Sequence, residues 1–225
     1  MSNLSSVNQR TLKAGNDMMS DRRQKFVAAA TELFSNNGFH ETTVKQIAEK
    51  AGASPGLVYN YVRDKEELLL LAITGVLESY KEEVPKAVSL HDDPILRFSA
   101  ALSAYVRVVA DKPKATLLAY RYTAILPQPM RERIKDLEVE TNQIISDCIS
   151  ACIAAGYFKE TNVDVLSYRA VLLAHGWALK SWRLSRLHGV EEYMNGTLDL
   201  FLAALLTPNG QRHYKDLCEE GAALR

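Results

Sequence analysis

The chain has 225 residues, 47% of them hydrophobic and 24% charged, and its 27 Lys and Arg are matched by 27 Asp and Glu. This balance excludes a disordered or collagen-like chain, and the longest apolar run, Leu68 to Leu77, falls far short of the roughly 20 residues that cross a bilayer. Three cysteines, an odd number, and a Ser/Asn-rich start without an apolar signal core give the expectation of a cytoplasmic protein with no membrane association.

Residues 1–19 show no apolar period and are expected to form a flexible tail. From Ser20 the stripe Phe26, Ala30, Leu33, Phe34 predicts a helix that ends at Asn37-Gly38. Thr43 with Gln46 reads as a capping box for a short helix to Ala51, and Gly52 stops it. Ser54-Pro55, a cap followed by proline in the first turn, starts a second short helix that reaches Tyr61. Asp64-Lys65-Glu66-Glu67 opens a longer helix to Val84, closed by Pro85. Further helices are expected from Asp93-Pro94 to Ala110, from Lys112-Pro113 to Leu126, and from beyond Pro129 to Gly156. Two more run from Val163 to His188 and from Val190 to Thr207, and residues 208–225 form a second tail. No stretch alternates with period two, so the fold class is all-α, with about nine helices.

Zero net charge argues at first against a nucleic-acid partner, but the charge is unevenly placed. Residues 1–65 carry nine bases against six acids, which leaves the remainder acidic by three. Within this basic head, TVKQIAEKAGASPGLVYNYVRDKEELL (residues 43–69) sets two short helices around a glycine turn, the geometry of a helix-turn-helix. Ile47, Ala48, Val58 and Val62 would face a miniature core, leaving Ser54, Pro55, Gly56, Leu57, Tyr59, Asn60 and Tyr61 outward. Tyrosine hydroxyls suit phosphates, Asn60 can read a base edge, and Leu57 can meet a thymine methyl.

This block resembles the TetR family of transcriptional regulators. The shared pattern is T-V-x-x-I-A-x-x-A-G-x-S-x-G-x-x-Y-x-Y-x-x-x-K-E-x-L-L, from Thr43 to Leu69, preceded by Phe26, Ala30, Leu33, Phe34 and Gly38-Phe39. The resemblance implies a three-helix DNA-binding domain over residues 20–66 and a helical ligand-binding and dimerisation domain over 67–207. It makes Thr43 and Lys45 backbone contacts, Ser54 to Leu57 with Asn60 the groove-facing set, and Tyr59, Tyr61 and Lys65 a phosphate clamp. Arg22, Arg23 and Lys25 are further candidates for a neighbouring phosphate or the minor groove. The implied partners are a pseudo-palindromic double-stranded operator, a second copy of the chain and a small effector, with no cofactor.

In the C-terminal part, the segments LLAYRYTAILP and HGWALKSW look like those of acyl-CoA-responsive members of the family. Tyr120, Arg121, Tyr122, Trp177, Lys180, Trp182, Arg183 and Arg186 would then line an aromatic cavity with cations for a carboxylate or CoA phosphates. The two apolar helices from Val163 to Thr207 would pack against their symmetry mates as a four-helix interface. Two alternatives stand beside this expectation: a hydrophobic drug as inducer, and a helical-bundle enzyme or small-molecule binding protein without DNA function. Cys148 and Cys152 lie one turn apart but lack further ligands, so a metal site is not expected.

Overall fold

The computed structural model describes residues 3–219, with side chains from Ser20 onward. Eleven α-helices follow in order: α1 (Asn3–Asn37), α2 (Val44–Lys50), α3 (Pro55–Tyr59), α4 (Lys65–Val88), α5 (Pro94–Asp111), α6 (Pro113–Tyr122), α7 (Gln128–Ala154), α8 (Val163–Leu179), α9 (Ser181–Leu184), α10 (Val190–Leu205) and α11 (Pro208–Glu219). A single 3-10 turn, Thr123–Ile125, links α6 to α7. The all-α expectation holds, and the only β pairing among the described residues is an isolated bridge between Phe158 and Leu206.

Helix boundaries follow local chemistry closely. Gln46 N–H donates to Thr43 Oγ1 while Thr43 N–H donates to Gln46 Oε1, closing the capping box of α2. Gly52, at φ +68°, makes the turn that an L side chain would strain. Ser54 and Asp64 cap α3 and α4 through the amides of Leu57 and Glu67.

Several boundaries differ from the sequence pattern. α6 stops at Tyr122 and gives way to the 3-10 turn before Leu126, and α7 takes Pro129 into its first turn, where a proline costs no amide bond. α1 begins at Asn3, ahead of the apolar stripe, and the expected tail of residues 1–19 falls where no side chain is described. Pro85 lies inside α4: it forfeits a single amide bond in the last turns, where buried Val84 and Val88 hold the helix in place. The expected Val163–His188 helix breaks at Lys180, because Trp182, Arg183, Arg186 and Leu187 beyond it are exposed and no buried face extends the packing. Within the expected C-terminal tail, residues 208–219 instead form α11, and 220–225 lie outside the described residues. His213 stacks on Tyr157 at 4.2 Å and bonds Asp93 Oδ2 at 2.5 Å, anchoring that helix to the body.

The core of the body is α5, buried from Ile95 through Phe98, Leu102, Tyr105 and Val109 and enclosed by α4, α7, α8 and α10. Phe98 meets Phe158 and Phe201 edge-on at 5.3 and 6.0 Å. α1 and α6 connect this body to the helix-turn-helix.

Candidate nucleic-acid interface and effector cavity

In the head, α2 and α3 bury Ile47, Ala48 and Val58 completely, with Val62 just beyond α3. Thr43, Lys45, Ser54, Pro55, Gly56, Tyr59 and Asn60 are left exposed around the start of α2 and along α3, while Leu57 is half-buried. The structure therefore leaves these seven residues on the surface of one helix-turn-helix. Tyr61 is half-buried and packs edge-on against Phe26 at 5.4 Å, so its ring is part of the head's packing.

Lys65 departs from the expected phosphate clamp. Its Nζ donates to the carbonyl oxygens of Phe39, Thr42 and His40 at 2.7, 3.0 and 3.3 Å and lies 4.4 Å from the centre of the Phe39 ring. An ammonium has three protons, and all three have acceptors here. The residue closes the loop between α1 and α2.

Much of the head's positive charge is also paired internally. Lys50 bonds Glu32 at 2.8 Å, and Glu67 gathers Arg63 at 3.2 Å and Arg23 at 3.7 Å. The Arg63 amide and guanidinium hold the Glu67 carboxyl below its usual range. Lys45 has only a loose contact with Glu49 at 3.9 Å, and exposed Arg22 and Lys25 form no ion pair among the described residues.

In the body, α4, α5, α6, α7 and α8 enclose a cavity of about 620 Å³, a size suited to a small organic ligand. Ile73, Val76, Leu77, Ile134 and Val171 make its walls apolar. Tyr80 and Tyr105 stack at 4.2 Å on one side. His175 bridges two phenols, with Nε2 3.2 Å from Tyr80 Oη and Nδ1 2.8 Å from Tyr120 Oη. Burial pushes the imidazole down to about 4 and the Tyr80 and Tyr105 phenols well above their usual range, so all three are neutral at pH 7. Glu138 also lines the cavity, and burial raises its carboxyl.

The ligand residues inferred from sequence are mostly elsewhere. Tyr120 lines the cavity, but Arg121, one position on, is exposed outside it. Tyr122 points toward the head, 6.0 Å from the Phe39 ring. Trp177 packs on Tyr193 at 5.4 Å, and Lys180, Trp182, Arg183 and Arg186 are exposed around α9, none of them on the cavity. The cations that do line it are Arg131 and Lys135 of α7. With Glu138, Thr141 and Asn142 they recur at helical spacing along α7, and that periodicity of polar residues was the available signal.

Val165, Tyr168 and Leu172 form an exposed apolar stripe on α8, and exposed Leu200 adds a further apolar residue on α10. Cys148 and Cys152 are buried, with Cys152 Sγ donating to Pro94 O, and no metal-binding cluster occurs among the described residues. No described helix is long and apolar enough to cross a membrane.

Comparison with known proteins matches two separate stretches to family models. Residues 26–72 match the bacterial regulatory proteins of the tetR family, and residues 91–182 match the tetracyclin repressor-like C-terminal domain. The HTH-type transcriptional regulator HbdR of Aromatoleum sp. (strain CIB) is 39% identical over 86% of this chain and 85% of its own length. Among solved structures, the ketosteroid transcriptional regulator KstR2 of Mycobacterium tuberculosis covers 83% of this chain and 95% of its own, with TM-score 0.70 at 20% identity. AibR, solved in complex with isovaleryl coenzyme A and operator DNA, covers 80% of this chain and 97% of its own, with TM-score 0.69 at 17% identity. Head, body and a well-matched relative agree: the chain belongs to the TetR family of transcriptional regulators, ligand-responsive proteins that dimerise and bind operator DNA.

Proposed function

We propose that the protein is a repressor, without enzymatic activity, that acts in the cytoplasm and is released from its operator by an acyl-CoA-type effector. The observation that carries this reading is a connection through α6. Tyr120 lines the cavity and Tyr122, two residues on, packs against Phe39 beside the head, so an occupant of the cavity has a short mechanical path to the DNA-binding helices. The acyl part would occupy the apolar walls and the phosphates would meet Arg131 and Lys135. The complex of AibR with isovaleryl coenzyme A adds support at the level of the fold.

Thr43, Lys45, Tyr59 and Asn60, with Ser54 to Leu57, are the proposed contact set on DNA, joined by Arg22 and Lys25 from α1. The stripe Val165, Tyr168 and Leu172 with Leu200 is the proposed surface for the second copy, which would hold two recognition helices about 34 Å apart. The domain division proposed is head 20–66, body 67–207 and C-terminal segment 208–225.

Release requires that the effector bind the DNA-incompetent conformation more tightly. Fluorescence anisotropy on the DNA upstream of the protein's own gene tests this. Salt-dependent binding that octanoyl-CoA reverses is the expected result, and absence of binding at low salt by a folded dimer overturns it. Glu138, half-buried beside the Tyr120 phenol, favours a second reading in which the effector is a lipophilic cation. Tetraphenylphosphonium in the same assay separates the two, since only one of the probes should release DNA.

A further inference from the structure

The cavity holds one buried polar atom that folding does not explain. Asn142 on α7 is 4% exposed and lines the cavity. Tyr105 donates its hydroxyl to Asn142 Oδ1 at 3.3 Å, which fixes the orientation of the amide. The opposite edge, Nδ2, has no acceptor among the described residues. A buried amide donor without a partner is costly, and an apolar side chain would fill the same place at less expense to stability.

The groups around it define what could accept from Nδ2. A neutral imidazole carries one proton, so of the two phenols on His175 one donates into the ring and the other accepts from it. The buried end of the cavity is thus neutral. Positive charge lies at the other end of the same helix face, which passes from half-buried Arg131 and exposed Lys135 through Glu138 to buried Thr141 and Asn142. At ~1.5 Å of rise per residue, Lys135 and Arg131 lie ~10 Å and ~16 Å along the axis from Asn142. A carboxylate at Asn142 would lose its water without gaining a countercharge, and Glu138 stands one turn away. An uncharged carbonyl oxygen needs only the hydrogen bond.

We propose that Asn142 determines the specificity of the cavity. Its Nδ2 donates to an uncharged carbonyl oxygen of the effector, so the site takes acyl derivatives such as thioesters or ketones and rejects the corresponding free acid. The proposal deepens the effector reading given above and rests on the cavity being the effector site. For a thioester of coenzyme A, the carbonyl bonds Asn142 and the spacer arm carries the phosphates toward Lys135 and Arg131.

Isothermal titration of the full-length protein tests this with four probes: octanoyl-CoA, the thioether S-octyl-CoA that lacks the carbonyl, 2-octanone and octanoate. The wild type should bind octanoyl-CoA roughly tenfold tighter than S-octyl-CoA, about 1.4 kcal/mol, and 2-octanone ahead of octanoate. Asn142→Leu should abolish the preference for the thioester while leaving the affinity for the thioether in place. Asn142→Ala carries the same comparison if circular dichroism shows the leucine variant unfolded. Binding of 2-octanone alone, sensitive to Asn142, upholds the proposal and removes coenzyme A from the effector reading. Equal affinities for the thioester and thioether, a preference that survives in Asn142→Leu, or no binding of any carbonyl probe overturns it.

Discussion

The ammonium of Lys65 lies 2.7 Å from the carbonyl oxygen of Phe39 and 4.4 Å from the centre of the ring of the same residue. One side chain at the start of α4 thereby satisfies carbonyls of the loop before α2 and covers an aromatic that is itself 3% exposed. Phe39 in turn meets Phe34 of α1 at 5.1 Å and Tyr122 of α6 at 6.0 Å. The joint between head and body is built on this residue.

Lys65→Ala should therefore act on stability before it acts on DNA. Loss of charge-assisted bonds to carbonyls is expected to lower unfolding free energy by about 1–3 kcal/mol. Urea denaturation reads that directly. In conditions where the variant is folded, the slope of log affinity against log salt should match the wild type, because Nζ is not available to a phosphate.

Lys45→Ala should behave in the opposite way. The side chain is exposed and only loosely paired with Glu49, so stability should stay within about 0.5 kcal/mol of wild type. DNA affinity should fall to a similar degree on different sequences, and the salt slope should drop by about one. Anisotropy titrations at several salt concentrations measure both.

Tyr122→Ala is expected to weaken communication between the sites. It removes the ring packed on Phe39 while leaving the lining of the cavity and the exposed face of α3 in place. Octanoyl-CoA affinity and DNA affinity measured separately should remain near wild type, whereas the effect of octanoyl-CoA on DNA affinity should shrink at least several-fold, within the usual range of coupling energies of about 1–3 kcal/mol. Arg121→Ala, exposed on the same helix, should leave that coupling intact.

His175 gives a pH dependence with a definite sign. Burial lowers its folded value to about 4 from the ordinary 6.5, so the folded state favours the neutral ring. The stability this represents is complete above pH 6.5 and is lost as pH falls toward 4, where the unfolded chain takes up the proton first. The phenols of Tyr80, Tyr105 and Tyr120 remain neutral throughout, while Glu138, raised by burial, shifts stability in the opposite sense as it protonates. Urea midpoints of wild type and His175→Gln between pH 7 and pH 4.5 isolate the contribution, with the steeper decline expected in the wild type.

The sequence by itself determined the fold class and the helix-turn-helix. Thr43 with Gln46, Gly52, Ser54-Pro55 and Asp64 act on backbone groups within a few residues, so their effect is written locally and survives any arrangement of the rest. The cavity was decided only by tertiary structure. Successive positions on a helix point about 100° apart, so Tyr120 faces the effector space while its neighbour Arg121 faces water, and no local signal says which. Tyr80, Tyr105, Asn142 and His175 come from four helices and meet because α5 is surrounded by α4, α7 and α8. Lys65 shows the same division within the head: the motif locates it correctly, but only the packed loop decides that its charge is turned inward to three carbonyls.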